Sequence, residues 1–528
     1  MDFHTEALVV GGGATGAGIA RDLVMRGVET IMVEKGDLAA GATGRCHGLL
    51  HSGGRYAVKD PESAVECILE NKIIKEIAPK AVEDTGGLFV ALPEDDEAYM
   101  DRFVSACFRI GIETVNLTLS QARRMEPNLS EEASVIIRVP DAAVDPFMLT
   151  VMNARDAEIR GAKIMRYCEL VGIVVERGRV SAALVRDNLS GETHRIRTRY
   201  IINATGGWAA KVARMGGAMI NMTLSKGSLL VFNRRINNCV INRLRPPGDG
   251  DIIVPNEPTS IIGTTSITVK DPEDFRVTDG EVEMMMREAG LMLPESAEAR
   301  VIRAYAGIRP LAAPETGSGR DASRTFTIID HKTKNDVAGF LSIIGGKLTT
   351  YRLMAEKITD IIADDLGISI PCKTASTPIL EPGNERHYSL GDRFGSIEIV
   401  QEDKPSRVEE IVCECELVTK REIVSVVKDT GTKDLNDIRV RTRVGMGSCQ
   451  GGFCTYRLLG ILHELDMVPD YEANEILIDF LEGRWKGIRP ILWGDQLREE
   501  QLIEGIYMGI FALDKVAMRS GAKKGRSK

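Results

Sequence analysis

Three stretches of this sequence predict a chain of mixed α/β and α+β class with a small helical, cysteine-bearing domain at its C-terminal end. An apolar strand runs into a glycine-rich turn near the N-terminus. A strand-rich segment fills residues 220–310, and four cysteines gather between positions 413 and 454. At 528 residues the chain exceeds what one hydrophobic core organises, so two to four domains are expected.

The first element is the strand Ala7–Val10. It meets Gly11-x-Gly13-x-x-Gly16, a helix pattern follows through Met25, and a second strand ends at Glu34. A lone GxGxxG is weak evidence. After a strand, before a helix, and with an acid at the end of the next strand, it is the dinucleotide fingerprint. Glycines let backbone N–H groups and the helix N-terminus approach a pyrophosphate, and Glu34 is placed to accept from ribose hydroxyls. Ala14, Thr15 and Lys35 belong to the same turn. Its position at the N-terminal end favours FAD over NAD. A second buried strand, Tyr200–Asn203, runs into Ala204-Thr205-Gly206-Gly207 and Trp208, and can close over the same ligand. The plain alternative there is an ordinary strand terminator.

Residues 41–56, "GATGRCHGLLHSGGRY", form a Gly-rich loop that carries Thr43, Gly44, Arg45, His47, Gly48, Leu49, His51, Arg55 and Tyr56. Small residues with interleaved cations suit a flavin and an anionic ligand; a solvated basic loop is the alternative. Residues 61–125 read as helical, and 160–200 as strands with a turn at Arg177-Gly178. Residues 220–310 read as mostly β, interrupted by one helix at "DGEVEMMMREAGLML", and form a cap over the substrate. Arg309 follows. "FLSIIGGKLTTYRLMAEKITDIIADDL" then reads as strand, double-glycine turn and helix. This places Gly345, Gly346, Lys347, Leu348, Thr349 and Thr350 at a helix N-terminus, where negative charge is favoured.

A polar stretch at 376–394 marks a boundary. Beyond it stand Cys413 and Cys415, then 33 residues, then Cys449 and Cys454. Four thiolates at loops or helix starts suit zinc or an iron–sulfur cluster, a vacant site being the remaining option; C-x-C is a poor half-site for structural zinc. The other six cysteines show no pairing pattern. Hydrophobic content is 43%, charged content 27% and net charge −9, which argue for a water-facing globular protein and against nucleic acid as the main partner. No signal peptide or membrane-spanning run is expected, and the tail "RSGAKKGRSK" is expected to be disordered.

The stretches "GATGRCHGLLHSGGRYAV", "NATGGW", "RAYAGIRPL", "GGKLTTYRLMAE", "VCECELVT" and "RTRVGMGSCQGGFC" are similar to the FAD-dependent glycerol-3-phosphate dehydrogenase family, in the branch formed by the catalytic chains of its anaerobic complexes. The resemblance spans essentially the whole chain. It implies an FAD-binding domain of the D-amino-acid-oxidase type over 1–375. The FAD-binding parts would be about 1–75, 145–215 and 330–370, and the substrate-capping parts about 76–144 and 216–329. It further implies a linker at 376–400, a module like bacterioferritin-associated ferredoxin at 401–465, and a helical extension with a basic tail at 466–528. That module often spaces its second pair C-x₂-C, whereas this chain has C-x₄-C. The implied reaction oxidises sn-glycerol 3-phosphate to dihydroxyacetone phosphate by hydride transfer from C2 to flavin N5. Electrons would leave through a 2Fe–2S cluster on Cys413, Cys415, Cys449 and Cys454 towards the quinone pool. Arg309 and Arg55 are expected to hold the phosphate, His51 to act as base, and Lys347 to support the flavin or substrate. Implied partners are a second flavin subunit with a membrane-anchoring iron–sulfur subunit, located at the inner face of the cell membrane. The alternatives are an amino-acid or hydroxy-acid dehydrogenase with the same tail, and a non-catalytic flavoprotein redox sensor.

Overall fold

The computed structural model describes residues 2–312, 325–380 and 410–515. The N-terminal strand, Asp2–Val10, is longer than its apolar core because it pairs in parallel with Thr30–Val33 on one side and Thr193–Asn203 on the other. Lys163–Met165 and Phe340–Gly345 extend this sheet in parallel, and the hairpin Cys168–Glu176/Arg179–Asp187 extends it in antiparallel. Helices Ala14–Met25, Pro146–Ile159 and Tyr351–Leu366 bear on it. Ile19, Leu23, Met32, Ile202, Ile358 and Ile362 form part of one buried cluster beside it. Strands buried on both faces read as continuous apolar runs, which is how "ALVV" and "TIMV" are written.

A second, nine-stranded sheet forms the cap. Its backbone is the antiparallel pair Met222–Phe232 and Val301–Ala312, in register from Met222 opposite Ala312 to Val231 opposite Arg303, with a bulge before Phe232 meets Val301. Helix Asp279–Met292 covers it, opened by a capping box between Thr278 and Glu281.

Residues 61–125 differ from the expected helical stretch. Helices Pro61–Ile77, Glu97–Ile110 and Leu119–Met125 do form, but Gly87–Ala91 is a fully buried strand of the cap sheet and Val115–Leu117 is another strand. The run "GLFVA" between Gly86 and Pro93 is too short for a helix and pairs with both Val135–Val139 and Val240–Arg243.

Residues 410–515 build a separate core from Val412, Val418, Ile438, Leu458, Leu462, Phe480, Ile503 and Tyr507. Helices Asp470–Ile488 and Gly494–Glu504 therefore pack together with 411–464 as one unit, although they lie in the expected extension. Ile488 and Ile491 leave that unit and join the core of the cap. Of the expected linker, residues 376–380 are described, and Ile379 is pinned by its N–H to Ile77 O at 2.9 Å. The rest of the linker, and the basic tail from 516 on, lie outside the described residues.

The C-terminal unit is held to the first domain by an ion pair that is nearly sealed from water. Asp37 accepts from both terminal nitrogens of Arg441, with Arg166 alongside at 3.3 Å. Burial pushes the Asp37 carboxyl up, but the hydrogen bonds and charge of Arg441 outweigh it and hold it below the usual range. This contribution is present above the ordinary aspartate pKa and is lost as pH falls through the lowered one. Asp37→Asn leaves Arg441 buried without its anion and is expected to weaken docking by about 3 kcal/mol. Hydrogen exchange should then rise at the seam between residues 37–38 and 437–443 while the nine-stranded sheet stays protected.

Candidate functional site

A cavity of about 650 Å³ is lined by both sheets and by the loop 41–56. Its first wall is the fingerprint: Gly11, Gly13, Ala14, Thr15, Glu34 and Lys35. Gly11 has φ +112°, and a Cβ there would lie 2.6 Å from Ala204 O. That contact brings the two glycine turns together, and Ala204, Thr205, Gly206 and Trp208 form the adjoining wall. Glu34 Oε2 accepts from Gly12 N–H at 2.7 Å and Oε1 from Gly36 N–H at 3.0 Å, while burial raises its pKa. Lys35 Nζ sits 3.8 Å over the Trp208 ring.

Thr43, Arg45, His47, Leu49, His51, Arg55 and Tyr56 also face the cavity, with Arg309, Gly346, Lys347 and Leu348 opposite. Four expected residues stand behind the wall. A Cβ on Gly16 would meet Gly11 O at 1.8 Å, one on Gly44 would meet Ala39 O at 2.4 Å, and one on Gly48 would meet Val144 O at 2.5 Å. Those glycines serve close packing. Thr349 is buried and its Oγ1 accepts from the His51 N–H at 3.1 Å, so it positions the loop.

These residues fit FAD. Two glycine turns admit a backbone-to-phosphate approach, the helix Ala14–Met25 has no acidic residue in its first turn, and Glu34 stands where a ribose would.

The charged groups at the other end differ in their partners. Arg55 shares Asp251 with Arg245, at 3.2 and 2.5 Å, and also reaches Gly248 O at 3.0 Å. Arg309 donates to Thr265 O at 3.1 Å, to Ser225 Oγ at 3.4 Å and to Thr264 Oγ1. Room for its guanidinium comes from Gly227, where a Cβ would lie 2.3 Å from Arg309 Nη2. Lys347 Nζ lies 3.9 Å from Glu66 and 5.1 Å from the Tyr56 ring centroid.

His51 stands 5.3 Å from Tyr56 and 6.2 Å from His47, ring to ring. Burial first, then His47, Lys347 and Arg55, hold its pKa well below the usual histidine value. Burial, Arg309 and Arg55 bring His47 down to about 3. His47 keeps some accessible surface because it faces the cavity, yet protein surrounds it. Its Nδ1 accepts the Leu49 N–H at 3.2 Å, as a neutral ring does. His51 is thus available as a proton acceptor because it is held neutral, not because its pKa lies near 7.

Asp251, Thr264, Thr265 and Gly227 were not singled out in the sequence. They fall within the strand-rich stretch 220–310, and their link to the arginines exists only through cap strand pairing.

The four C-terminal cysteines also converge. Cys413 interacts with Cys454, Cys454 with Cys449, and Cys449 with Cys415. Contact with Cys415 and Cys454 holds the Cys449 thiol far below its usual range, and backbone N–H groups of Phe453 and Gly451 favour the thiolate further. Gly445 and Glu416 N–H groups face Cys413. A Cβ on Gly447 would lie 2.4 Å from Cys415 Cβ, so glycine is required for the approach. Four thiols cradled by backbone donors fit an iron–sulfur cluster. Among the described residues no three such side chains stand at the spacing of a single ion; the thiols form a chain of pairwise contacts.

Residues 6–352 match the family model for FAD dependent oxidoreductases, and 411–464 match the BFD-like [2Fe-2S] binding domain. The chain is 43% identical to the A chain of the anaerobic glycerol-3-phosphate dehydrogenase of Escherichia coli (strain K12), over 97% of both chains. It is 42% identical to the A1 chain of the anaerobic glycerol-3-phosphate dehydrogenase of Haloferax volcanii, over 95% of this chain and 90% of that one. A solved glycerol-3-phosphate dehydrogenase from Bacillus halodurans, complexed with FAD, superposes with TM-score 0.64 over 93% of this chain and 96% of that one; at 23% identity it shows the shared fold.

The two neutral histidines set a pH dependence. An unfolded histidine binds its proton near pH 6.5, whereas these resist it in the fold, so stability falls as pH drops below that value. Each contributes a slope of up to about 1.4 kcal/mol per pH unit. Denaturation of the flavin-free chain between pH 7.5 and 5.5 should therefore show a steeper loss than in a His47→Gln/His51→Gln variant.

Proposed function

The chain belongs to the family of FAD-dependent oxidoreductases formed by the A chains of anaerobic glycerol-3-phosphate dehydrogenases, and on that premise we propose residue roles for the oxidation of sn-glycerol 3-phosphate to dihydroxyacetone phosphate. The observation that carries this reading is Arg309, a cation that lines the cavity bounded by both glycine turns and for whose guanidinium Gly227 makes room. A guanidinium at the cavity wall is suited to a phosphate dianion, which it can meet with two parallel N–H donors.

FAD, when bound, accepts the C2 hydride at N5, and the 2Fe–2S cluster carries electrons onward singly. Arg309 binds the phosphate on the cap side and Arg55 on the loop side, its charge tempered by Asp251. His51, held neutral, takes the C2 hydroxyl proton; the approach of the dianion offsets the neighbouring cations and raises its basicity as substrate arrives. Lys347 lies close enough to Tyr56 and Glu66 to remain fixed while it stabilises negative charge developing beside it. Cys413, Cys415, Cys449 and Cys454 hold the cluster. For the wider enzyme we propose a second flavin subunit with a membrane-anchoring iron–sulfur subunit, which pass electrons to quinone at the inner face of the cell membrane. The relatives are themselves named as single subunits of a larger enzyme, which supports the existence of partners. Among the described residues no helix is long and apolar enough to cross a membrane itself.

Anaerobic addition of glycerol 3-phosphate should bleach the oxidised flavin spectrum, whereas a panel of amino and 2-hydroxy acids should not; the reverse result sinks the substrate assignment. Arg309→Ala removes one side of a buried charge pair and should lower kcat/KM about 10²–10³-fold, mostly through KM. Cys415→Ser should lose iron while flavin bleaching by substrate persists.

A further inference from the structure

The cap strand Val301–Ala312 has two unlike faces. Ala304, Ala306 and Ile308 are buried, while Arg303, Tyr305, Gly307 and Arg309 share the opposite face. Arg309 is in the cavity. Gly307 stands against the loop, where a Cβ would meet Arg45 O at 2.5 Å, and Tyr305 O–H donates to Cys46 O at 3.0 Å. At the far end Arg303 reaches Gln450 Oε1 at 3.5 Å, beside Cys449. Gly487 leaves room for it, a Cβ there lying 3.0 Å from Arg303 Cζ.

Arg457, Arg443 and Arg484 stand near the cysteines and each has a carboxylate partner, Glu414 in the case of Arg457. Arg443 is paired with Glu416 at 2.9 Å and Asp145 at 3.2 Å, and Arg484 with Glu500 at 2.5 Å. Arg439 and Arg303 have no carboxylate in ion-pair contact among the described residues, and Arg439 Nε is sealed from solvent without a hydrogen-bond partner. Burial and repulsion by Arg439 bring Arg303 down to about 9; burial, Arg443 and Arg484 bring Arg439 down to about 10, against the attraction of Cys454 and of Glu416, whose carboxylate is already paired with Arg443. Both remain cationic at neutral pH. Two such cations at one seam are costly unless an anion faces them.

We propose that Arg439 and Arg303 are the counter-charge of the cluster and raise its reduction potential, so that electrons from the flavin are drawn to it. Two ferric ions, two sulfides and four thiolates sum to a dianion. One electron from the reduced flavin makes a trianion with no bond formed or broken. Adjacent fixed cations stabilise the trianion more than the dianion. The two arginines are tuning residues that touch neither substrate nor flavin. The proposal rests on the four cysteines being the ligands.

The test is an EPR-monitored redox titration of the iron-loaded full chain. Arg439→Gln and Arg303→Gln should each lower the reduced-to-oxidised ratio at fixed potential about tenfold, about 59 mV for a one-electron couple. Arg439→Lys should stay near wild type. In the chelator-stripped chain, Arg439→Met should melt higher than wild type, because an uncompensated charge is gone. If Arg439→Gln sheds its cluster, Arg303→Gln carries the titration. An unmoved midpoint in the neutral variants, or a stripped Arg439→Met chain no more stable than wild type, overturns the proposal. A wild-type chain that holds no iron, or a Cys415→Ser chain that keeps it, overturns the ligand reading instead.

Discussion

The approach of Ala204 to Gly11 is the contact on which the rest of the molecule depends. With Gly11 at φ +112° and no Cβ on either Gly11 or Gly16, the first strand, its helix and the distant strand Thr193–Asn203 close to van der Waals distance. The parallel pairing from Asp2 through Val10 follows from that closure, and so does the position of Trp208 beside Lys35. A side chain at Gly11 or Gly16 would force these segments apart and open the cavity floor.

The cap repeats the same device. Gly227 and Gly307 face each other across its longest strand pair, and each admits a neighbour. Gly227 admits the Arg309 guanidinium, while Gly307 admits the backbone at Arg45. The loop 41–56 is thus gripped from above by the cap and from behind by Thr349 and Asp141, which accept from the backbone of His51 and Ser52. That grip buries His47 and His51, and burial, ahead of the charges of Arg55, Arg309 and Lys347, is what depresses the two histidines.

Much of this was legible in the sequence because short-range spacing carries it. Gly11-x-Gly13-x-x-Gly16 with Glu34, the "NATGGW" turn and the double glycine before Lys347 each announce a local geometry, and these turns meet at the cavity. The four cysteines converge as their spacing implies. What could not be read depends on partners far apart in the chain. Asp251 holds Arg55, Asp37 holds Arg441, and neither acid belongs to a motif. The strand Gly87–Ala91 was hidden among helices because a buried strand lacks alternation, and only its two partners define it. The neutral state of His51 was hidden too, since burial and cation placement are invisible to spacing.

The strand Val301–Ala312 joins the two chemical ends of the protein through covalent bonds. From Arg303 to Arg309 is six residues of extended backbone, about 20 Å at the usual rise. A β-strand bonded along its length to Met222–Phe232 neither stretches nor hinges. It acts as a ruler: breathing of the surrounding loops can change what enters the cavity, but it leaves the span between the cavity-side Arg309 and the cysteine-side Arg303 fixed.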